Sequence, residues 1–330
     1  MKILVTGSTG HLGEAICRTL QQQGIDFIGL DIKEGPLTTN IGSIADRAFV
    51  QQMTQGVDYI LHTATLHKPH VATHTKQDFV EVNITGTLNL LEEAKANGCK
   101  GFIFTSTTST FGDILTPAPN EPAVWVTEDT VPVPKNIYGV TKTAAEDLCQ
   151  LFYRNHGLPC IILKTSRFFP EEDDNKHSRE AYEDLNIKAN EFLHRRVDIE
   201  DVVSAHLLAI EKAASLGFQK YIISATSPFT RAHLADLQND APSVVRTIYP
   251  EFEALYKTKK WKMFPSIGRV YVNEKARKEL GWQPKHDFGY VLSCLKKDQD
   301  FRSSITHQIG SKGYHEETFE DGPFPVENNE

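Results

Sequence analysis

The sequence predicts an α/β fold: a doubly wound parallel sheet followed by a smaller, mixed C-terminal lobe. Three observations predict it. Short apolar runs alternate with longer amphipathic stretches through the first 165 residues, the pattern of a sheet covered by helices on both faces. A glycine-rich turn, Thr6-Gly7-Ser8-Thr9-Gly10-His11-Leu12-Gly13, joins the first run to the first amphipathic stretch. The chain has 330 residues, which at roughly 150 residues per domain leaves room for a second lobe.

Taken in order, Lys2–Thr6, Asp26–Asp31, Val57–Leu61, Gly101–Thr105 and Pro159–Lys164 read as buried strands. Leu12–Gln23, Ser43–Gln55, Lys76–Asn97 and Tyr138–Asn155 read as the helices between them. Ile114–Lys135 carries five prolines and no clear period, so it reads as a surface excursion. The charged stretch Pro170–Asn190 breaks the rhythm, which returns with a helix at Ile199–Ala214 and a strand at Lys220–Ser224. Pro-bounded helical pieces follow, among them Asn273–Leu280, which ends at Gly281. Residues 1–167 and 196–226 are expected to form the first domain, and 168–195 and 227–330 the lobe. Ser311–Glu330 holds six acids against one lysine and reads as a solvated tail.

Composition narrows the function classes. Hydrophobic residues at 40% and charged residues at 24% are an ordinary globular mix and exclude wholesale disorder. Lys plus Arg is 35 and Asp plus Glu is 43, a net charge of −8, which argues against a general nucleic-acid binder. No apolar stretch approaches the roughly 20 residues of a membrane helix, and the apolar start is too short for a signal-peptide core. The cysteines Cys17, Cys99, Cys149, Cys160 and Cys294 are scattered and form no C-x-x-C pair, as expected of buried thiols in a reducing compartment. The expectation is a cytoplasmic protein with no membrane or nucleic-acid partner.

The glycine turn carries the first chemistry. Gly7 allows a tight turn, Gly10 lets a pyrophosphate approach the backbone, and Gly13 lets helix and strand pack closely. The helix start then offers free N–H groups and a positive dipole end to phosphates. The second strand ends at Asp31, 18 residues past Gly13, near where an acid accepts both ribose hydroxyls and repels a 2′-phosphate. No arginine in the turn offsets that charge, so NAD is favoured over NADP, although Lys33 leaves NADP open.

Tyr138-Gly139-Val140-Thr141-Lys142 opens a helix and places Tyr138 and Lys142 on one face. A free tyrosine, with a pKa of about 10, is a poor base at neutral pH. An adjacent ammonium and the charge of oxidised nicotinamide favour the phenolate, which can then move a proton while hydride passes to or from the cofactor.

With TGSTGHLG, Asp31, His62-Thr63-Ala64-Thr65, Asn83-Ile84-Thr85-Gly86-Thr87, the run Thr105–Gly112 and YGVTK in that order, the chain resembles the extended short-chain dehydrogenase/reductases, in their NAD-dependent epimerase/dehydratase branch. The likeness covers Met1 to about Leu216, and continues more weakly through Val270–Pro284. It implies a Rossmann-type sheet, NAD as cofactor and a homodimer through the helices Lys76–Asn97 and Tyr138–Asn155. It also implies a catalytic Thr107 that hydrogen-bonds the reacting oxygen, Tyr138 as acid/base and Lys142 as ribose ligand and tuner. Asn83 would act near the nicotinamide. Gly7, Thr9, Gly10, His11, Leu12, Gly13, Asp31, Ile32, Ser43, Ile44, Thr63, Ala64, Thr65 and Thr105 would meet the cofactor together with Tyr138 and Lys142. Ser106 or Thr108 takes the place of Thr107 if the motif slips by one residue.

The departures bear on substrate. Ser43 stands where the family often has an adenine-binding Asp. Thr108-Ser109 follow Thr107 without the acid pair that eliminates water, which disfavours dehydration. Pro170 falls where sugar-nucleotide epimerases carry an Asn, and only 31 residues separate it from Asp201. A small sugar-like or hydroxy substrate is therefore expected, in a pocket too small for a nucleotide sugar and faced by His67, His70 or both.

Thr108, Phe168 and Arg195 complete the candidate substrate contacts. His67, His70 and His74 would share a face if helical and could bind a metal, but Pro69 and the lack of an acid partner argue against it, and no metal is expected. Glu171-Glu172-Asp173-Asp174 reads as a solvated loop or an acidic lid, and Arg195-Arg196 as either an exposed pair or a base brought to the substrate. The reading is an NAD-dependent epimerase or dehydrogenase. A nucleotide-sugar epimerase and a non-catalytic redox sensor are the alternatives; retention of Tyr138 and Lys142 argues against the sensor.

Overall fold

The alternation in the first half becomes one parallel sheet. The computed structural model describes residues 1–118, 121–313 and 319. The strands are β1 (Lys2–Thr6), β2 (Asp26–Asp31), β3 (Asn40–Ile41), β4 (Tyr59–His62), β5 (Gly101–Thr107), β6 (Val124–Val126), β7 (Cys160–Thr165), β8 (Phe218–Ile223) and β9 (Arg269–Tyr271). Seven of them form the main sheet in the order β3-β2-β1-β4-β5-β7-β8, and β6 pairs with β9 in a small sheet of two. The first sheet is the Rossmann-type arrangement that the sequence predicted.

Its helices are α1 (His11–Gln22), α2 (Arg47–Met53), α3 (Lys76–Phe79), α4 (Gly86–Ala96), α5 (Ile137–His156), α6 (Lys176–Ala181), α7 (Asp184–Glu191) and α8 (Ile199–Leu216). Alternate strand residues point to opposite faces. Ile3 and Val5 pack with Leu12 and Ile16 of α1 and Val202 and Ala209 of α8. Leu4, Ile60, Phe102 and Phe104 pack on the other face with Leu90 and Leu91 of α4 and Ala145 and Cys149 of α5. Burial on both faces is why the strands read as continuous apolar runs.

Several boundaries differ from expectation for local reasons. The helix expected over Ser43–Gln55 starts only at Arg47, because the Asp46 carboxylate caps it by accepting from Phe49 N. The stretch Lys76–Asn97 is interrupted by a π-helical turn at Val80–Thr85. Ile114–Lys135 is more than a surface excursion: it contributes β6, and Ala123 and Val126 are buried. Its short apolar V-W-V run is hidden among prolines, and its partner β9 lies far along the chain.

The second core gathers α7, α9 (Leu234–Ile248), α10 (Phe252–Lys259) and α11 (Phe288–Lys296) around Phe192, Phe229, Val245, Tyr256 and Phe288. α12 (Ser304–Ile309) returns to the first core, where Ile309 packs. Among the described residues no helix is long and apolar enough to cross a membrane. Most of the acidic tail, residues 314–318 and 320–330, lies outside the described residues.

Candidate active site

Parallel strands end on a common edge. The register pairs Thr6 with His62, His62 with Phe104 and Thr107 with Thr165, so the carboxyl ends of β1, β4, β5 and β7 line up. A cleft of about 770 Å³ opens above them. This is where open α/β sheets hold ligands, outside the strand ends where the order reverses about β1.

One end of the cleft is built for a dinucleotide. Gly7 adopts φ +76°, and a Cβ there would lie 2.8 Å from Ala64 N. A Cβ on Gly13 would lie 1.9 Å from Gly7 O, so the helix packs against the turn only as glycine. Gly10 is different: a Cβ there would meet only Gly7 O, at 3.2 Å, and would otherwise project into the open cleft. Gly10 is also the N-cap of α1 and offers no side-chain cap, whereas Asp46, Asn136 and Asp198 cap α2, α5 and α8. The first N–H groups of α1 are thus left for an anion. Asp31 accepts from Thr9 N at 3.0 Å and Lys33 N at 3.1 Å, fixing its carboxylate at the cleft wall. Thr9, His11, Leu12, Ile32, Ser43, Ile44, Thr63, Ala64 and Thr65 line the same stretch. These residues fit a dinucleotide.

At the other end Thr107, the last residue of β5, reaches Tyr138 in the first turn of α5. The two hydroxyls are hydrogen-bonded, which lowers the phenol's pKa, but burial dominates and pushes it up to about 12. Lys142 lies one turn further on. Its ammonium donates to Thr105 O at 2.7 Å and sits 4.0 Å from the centre of the Phe104 ring. Burial depresses it to about 7, against the pull of Glu146. The expectation that Lys142 directly draws Tyr138 toward phenolate is therefore not met by the protein alone. The ammonium is turned to the Thr105 carbonyl, and desolvation wins at both groups.

Behind this pair a buried polar network holds the strand ends. Glu146 accepts from Ser106 Oγ and Lys164 Nζ, both at 2.5 Å, and from Lys220 Nζ at 3.1 Å. Thr105 Oγ1 meets His206 Nε2 at 2.8 Å. His62 lies between Thr6 and Thr87 hydroxyls, and burial holds it well below its ordinary pKa, so it is a neutral brace. Asn83 is also buried. Its amide bonds Leu66 N, Leu66 O and the hydroxyls of Thr65 and Thr141, so it reaches the cleft through Thr65 and Leu66.

His67 and His70 both line the cleft, and Thr108, Phe168 and Arg195 do so as well. The His67 ring stacks on Phe169 at 5.8 Å and lies 6.5 Å from the Tyr138 ring. His70 and His74 nest edge to face behind it. Among the described residues no group of three or more His, Cys, Asp and Glu is arranged to hold a metal ion.

The acidic run 171–174 is not a solvated loop. Glu171 and Asp173 are buried. Glu171 meets His11 Nε2 at 2.6 Å and accepts from Lys312 N at 2.8 Å and Ser311 Oγ at 3.1 Å. Asp173 and Asp174 accept from Arg167, at 2.7 and 3.2 Å. Nor are Arg195 and Arg196 an exposed pair: both contact the fully buried Glu191, at 2.9 and 2.8 Å, and Arg167 shares it at 3.1 Å. Three guanidinium groups hold Glu191 far below the usual carboxylate range against the cost of burial. The start of the supposed tail is docked too, since Lys312 pairs with Glu14 of α1 and lines the cleft with Gly313.

Sequence reasoning missed Arg167, Phe169, Arg269, Tyr271 and Lys312 as cleft residues. Strand period two puts Arg269 and Tyr271 on one face of β9, but nothing local says which face meets the cleft. β7 ends at Thr165, so Arg167, rather than Pro170, is the first long polar side chain past the strand.

A family model described as the NAD dependent epimerase/dehydratase family matches residues 3–223, which is the whole seven-stranded sheet. The chain belongs to this family. NAD is thus the cofactor, and the glycine-lined end of the cleft fits it. Among curated proteins, an uncharacterized UDP-glucose epimerase of Bacillus subtilis, YtcB, is 30% identical over 190 residues, covering 51% of this chain and 56% of its own. The uronate dehydrogenase of Pseudomonas syringae pv. tomato is 25% identical over 188 residues, covering 53% and 62%. The chain spans about half the length of the curated relatives it matches, from 39 to 62% in these and a third relative. A short-chain dehydrogenase/reductase superfamily protein of Agrobacterium tumefaciens, solved with bound NAD, superposes with a TM-score of 0.64 at 20% identity, over 90% of this chain and 98% of that one. That likeness speaks to the fold.

Proposed function

We propose that this family member is an NAD-dependent epimerase or dehydrogenase acting on a secondary alcohol of a small sugar-like or hydroxy compound. The meeting of the Thr107 and Tyr138 hydroxyls at the end of the glycine-lined cleft carries this reading. Thr107 Oγ1 also accepts from Ser109 N at 3.1 Å, which fixes its rotamer and leaves its proton for an oxygen placed between the two hydroxyls. Tyr138 then exchanges a proton with that oxygen. Bound NAD supplies the hydride acceptor and, where the product is re-reduced in place, the donor. Lys142, one turn along α5, is kept beside the strand end by its bond to Thr105 O.

The small-substrate reading rests on space. One cleft of about 770 Å³ must take the dinucleotide and the substrate together. A single drug-sized ligand commonly fills about 300–1,000 Å³. Little is left for a second nucleotide beside His67, Phe169 and Tyr271, which line the same cleft. A second reading, a nucleotide-sugar epimerase, is favoured by the UDP-glucose epimerase relative. A homodimer through α4 and α5 is part of either reading: Val140 and Leu151 expose 49 and 42% of their area on one side of α5. Sedimentation would measure it.

The test is a panel of polyols, sugars, sugar acids and nucleotide sugars with NAD, followed by NADH absorbance and by NMR of the products. Turnover of a small hydroxy compound that Tyr138→Phe abolishes is the expected result. Micromolar binding of a nucleotide sugar, competitive with turnover, overturns the small-substrate reading in favour of the second.

A further inference from the structure

The wall of the cleft beyond Tyr138 holds more positive charge than its own carboxylates neutralise. Arg167, Arg195 and Arg196 share the buried carboxylate of Glu191. Asp173 and Asp174 are taken up by Arg167, and Asp174 also by Lys68 at 3.3 Å. Arg195 has only a distant second acid, Asp173 at 3.9 Å. Arg269 has no carboxylate partner among the described residues; its guanidinium faces the Tyr271 ring at 6.0 Å. The Nε atoms of Arg195 and Arg269 are both buried without a hydrogen-bond partner among the described residues.

The placement of the two arginines is built in. Arg269 sits on β9, paired in register with Val124 of β6. Tyr271 N, two residues on, donates to His194 O at 3.1 Å, which ties β9 to the residue preceding Arg195. Both side chains line the cleft. The two like charges are close enough that Arg269, together with burial, depresses the Arg195 pKa. Neighbouring His194 is buried, and burial and the same two arginines hold it well below its ordinary pKa, so it stays neutral. Buried N–H groups without acceptors and unneutralised like charges are both costly. An oxyanion in the cleft neutralises the like charges, and a guanidinium fork matches a carboxylate or phosphate with paired N–H bonds.

We propose that Arg195 and Arg269 form a subsite for an oxyanion group, carboxylate or phosphate, carried by the substrate whose alcohol lies at Thr107 and Tyr138. This rests on the reading of Thr107 and Tyr138 as the reaction centre. It narrows the substrate from any small hydroxy compound to an acid: a sugar acid or hydroxy acid if the group is a carboxylate, a sugar phosphate if it is a phosphate.

Calorimetry on the full chain loaded with NAD tests it, with a hexuronate, an aldonate, a hexose phosphate and the neutral parent hexose as probes. At least one acid should bind while its neutral parent binds 10-fold or more weaker, and added salt should weaken the acid alone. Uronate or aldonate binding identifies a carboxylate, and hexose phosphate binding a phosphate. Arg269→Gln should weaken the acid about 10–100-fold, the range for losing a charge-assisted bond. Arg269→Lys, which keeps the charge without the fork, should restore part of it. Melting temperature and NAD affinity identify a misfolded variant, in which case Arg195→Gln replaces it in the same comparison. Equal binding of acid and neutral parent, or an acid whose binding survives both Arg269→Gln and Arg195→Gln in folded protein, overturns the subsite. Tyr138→Phe separates the two readings: acid binding with unchanged turnover in that variant leaves the subsite standing and removes the reaction centre.

Discussion

Replacing Lys142 by Met should stabilise the protein in the absence of dinucleotide, and the gain should shrink as pH rises. The ammonium is 2% exposed, and burial depresses its pKa from 10.5 to about 7. At about 1.4 kcal/mol per unit, a depression of this size is a cost of about 4–5 kcal/mol to the folded state. The methionine also forfeits the bond to Thr105 O and the contact with the Phe104 ring, which returns about 1–3 kcal/mol of that gain. A net stabilisation of about 1–4 kcal/mol is expected at neutral pH and below. The sign follows from proton uptake. Between about 7 and 10.5 the unfolded lysine is protonated and the folded one is not, so the wild type gains stability as pH rises through that window. Below the window both states are charged and the full cost is present; above it neither is. Urea denaturation of both proteins at about pH 6 and about pH 9.5 reads this directly, with the midpoint difference falling by more than half at the higher pH. A variant less stable than wild type by the same amount at both pH values refutes the reasoning, because Lys142 would then be an ordinary stabilising contact. The same variant should bind NAD more weakly.

Other outcomes follow from single atoms of the cleft. Asp31→Ala should weaken NAD binding and narrow its margin over NADP, since the carboxylate held by Thr9 N and Lys33 N is what repels a 2′-phosphate; a wild type that titrates with NADP more tightly than with NAD contradicts this. Gly13→Ala forces a Cβ to within 1.9 Å of Gly7 O and should cost about 1–3 kcal/mol of stability and most NAD affinity, read by denaturation and fluorescence titration. Tyr138→Phe should keep NAD affinity and lose about 10²–10⁴ in turnover, with Thr107→Val losing less; near-normal steady-state rates for Tyr138→Phe would sink the acid/base assignment.

What the sequence made legible was the part governed by local rules. β1 and β2 fall on the residues expected, because buried parallel strands are continuous apolar runs and Gly7 and Asp31 punctuate them. The glycine turn was readable as a turn, and Gly7, Gly10 and Gly13 have three different surroundings within it. The substrate end was less legible. Arg269 reaches the cleft because β9 pairs with β6, and neither three-residue strand carries a pattern strong enough to announce the other. The charges of residues 171–174 and 195–196 looked solvated because like charges adjoin in sequence; in the fold their counter-ions come from elsewhere in the chain, Arg167 for Asp173 and Asp174 and Glu191 for Arg195 and Arg196. The Tyr138–Lys142 spacing placed both side chains on one face, but a helical repeat says nothing of dielectric surroundings, and burial decided both pKa values.

The ion pair between Lys312 and Glu14 joins residues 298 positions apart. A contact of such long range closes after local and medium-range structure has formed, because its loop-closure entropy must first be reduced by intervening folding. All seven strands of the main sheet lie within the first 223 residues, so the sheet can assemble while this clasp is still open. The order of assembly therefore runs opposite to the order of reading: the glycine turn is near the start of the chain, yet its surroundings are completed last, when Ser311 and Lys312 reach Glu171 and Glu171 in turn holds His11. Amide hydrogen exchange should register this as a separate unit, with Lys312 opening at a lower free energy than the strands beneath it.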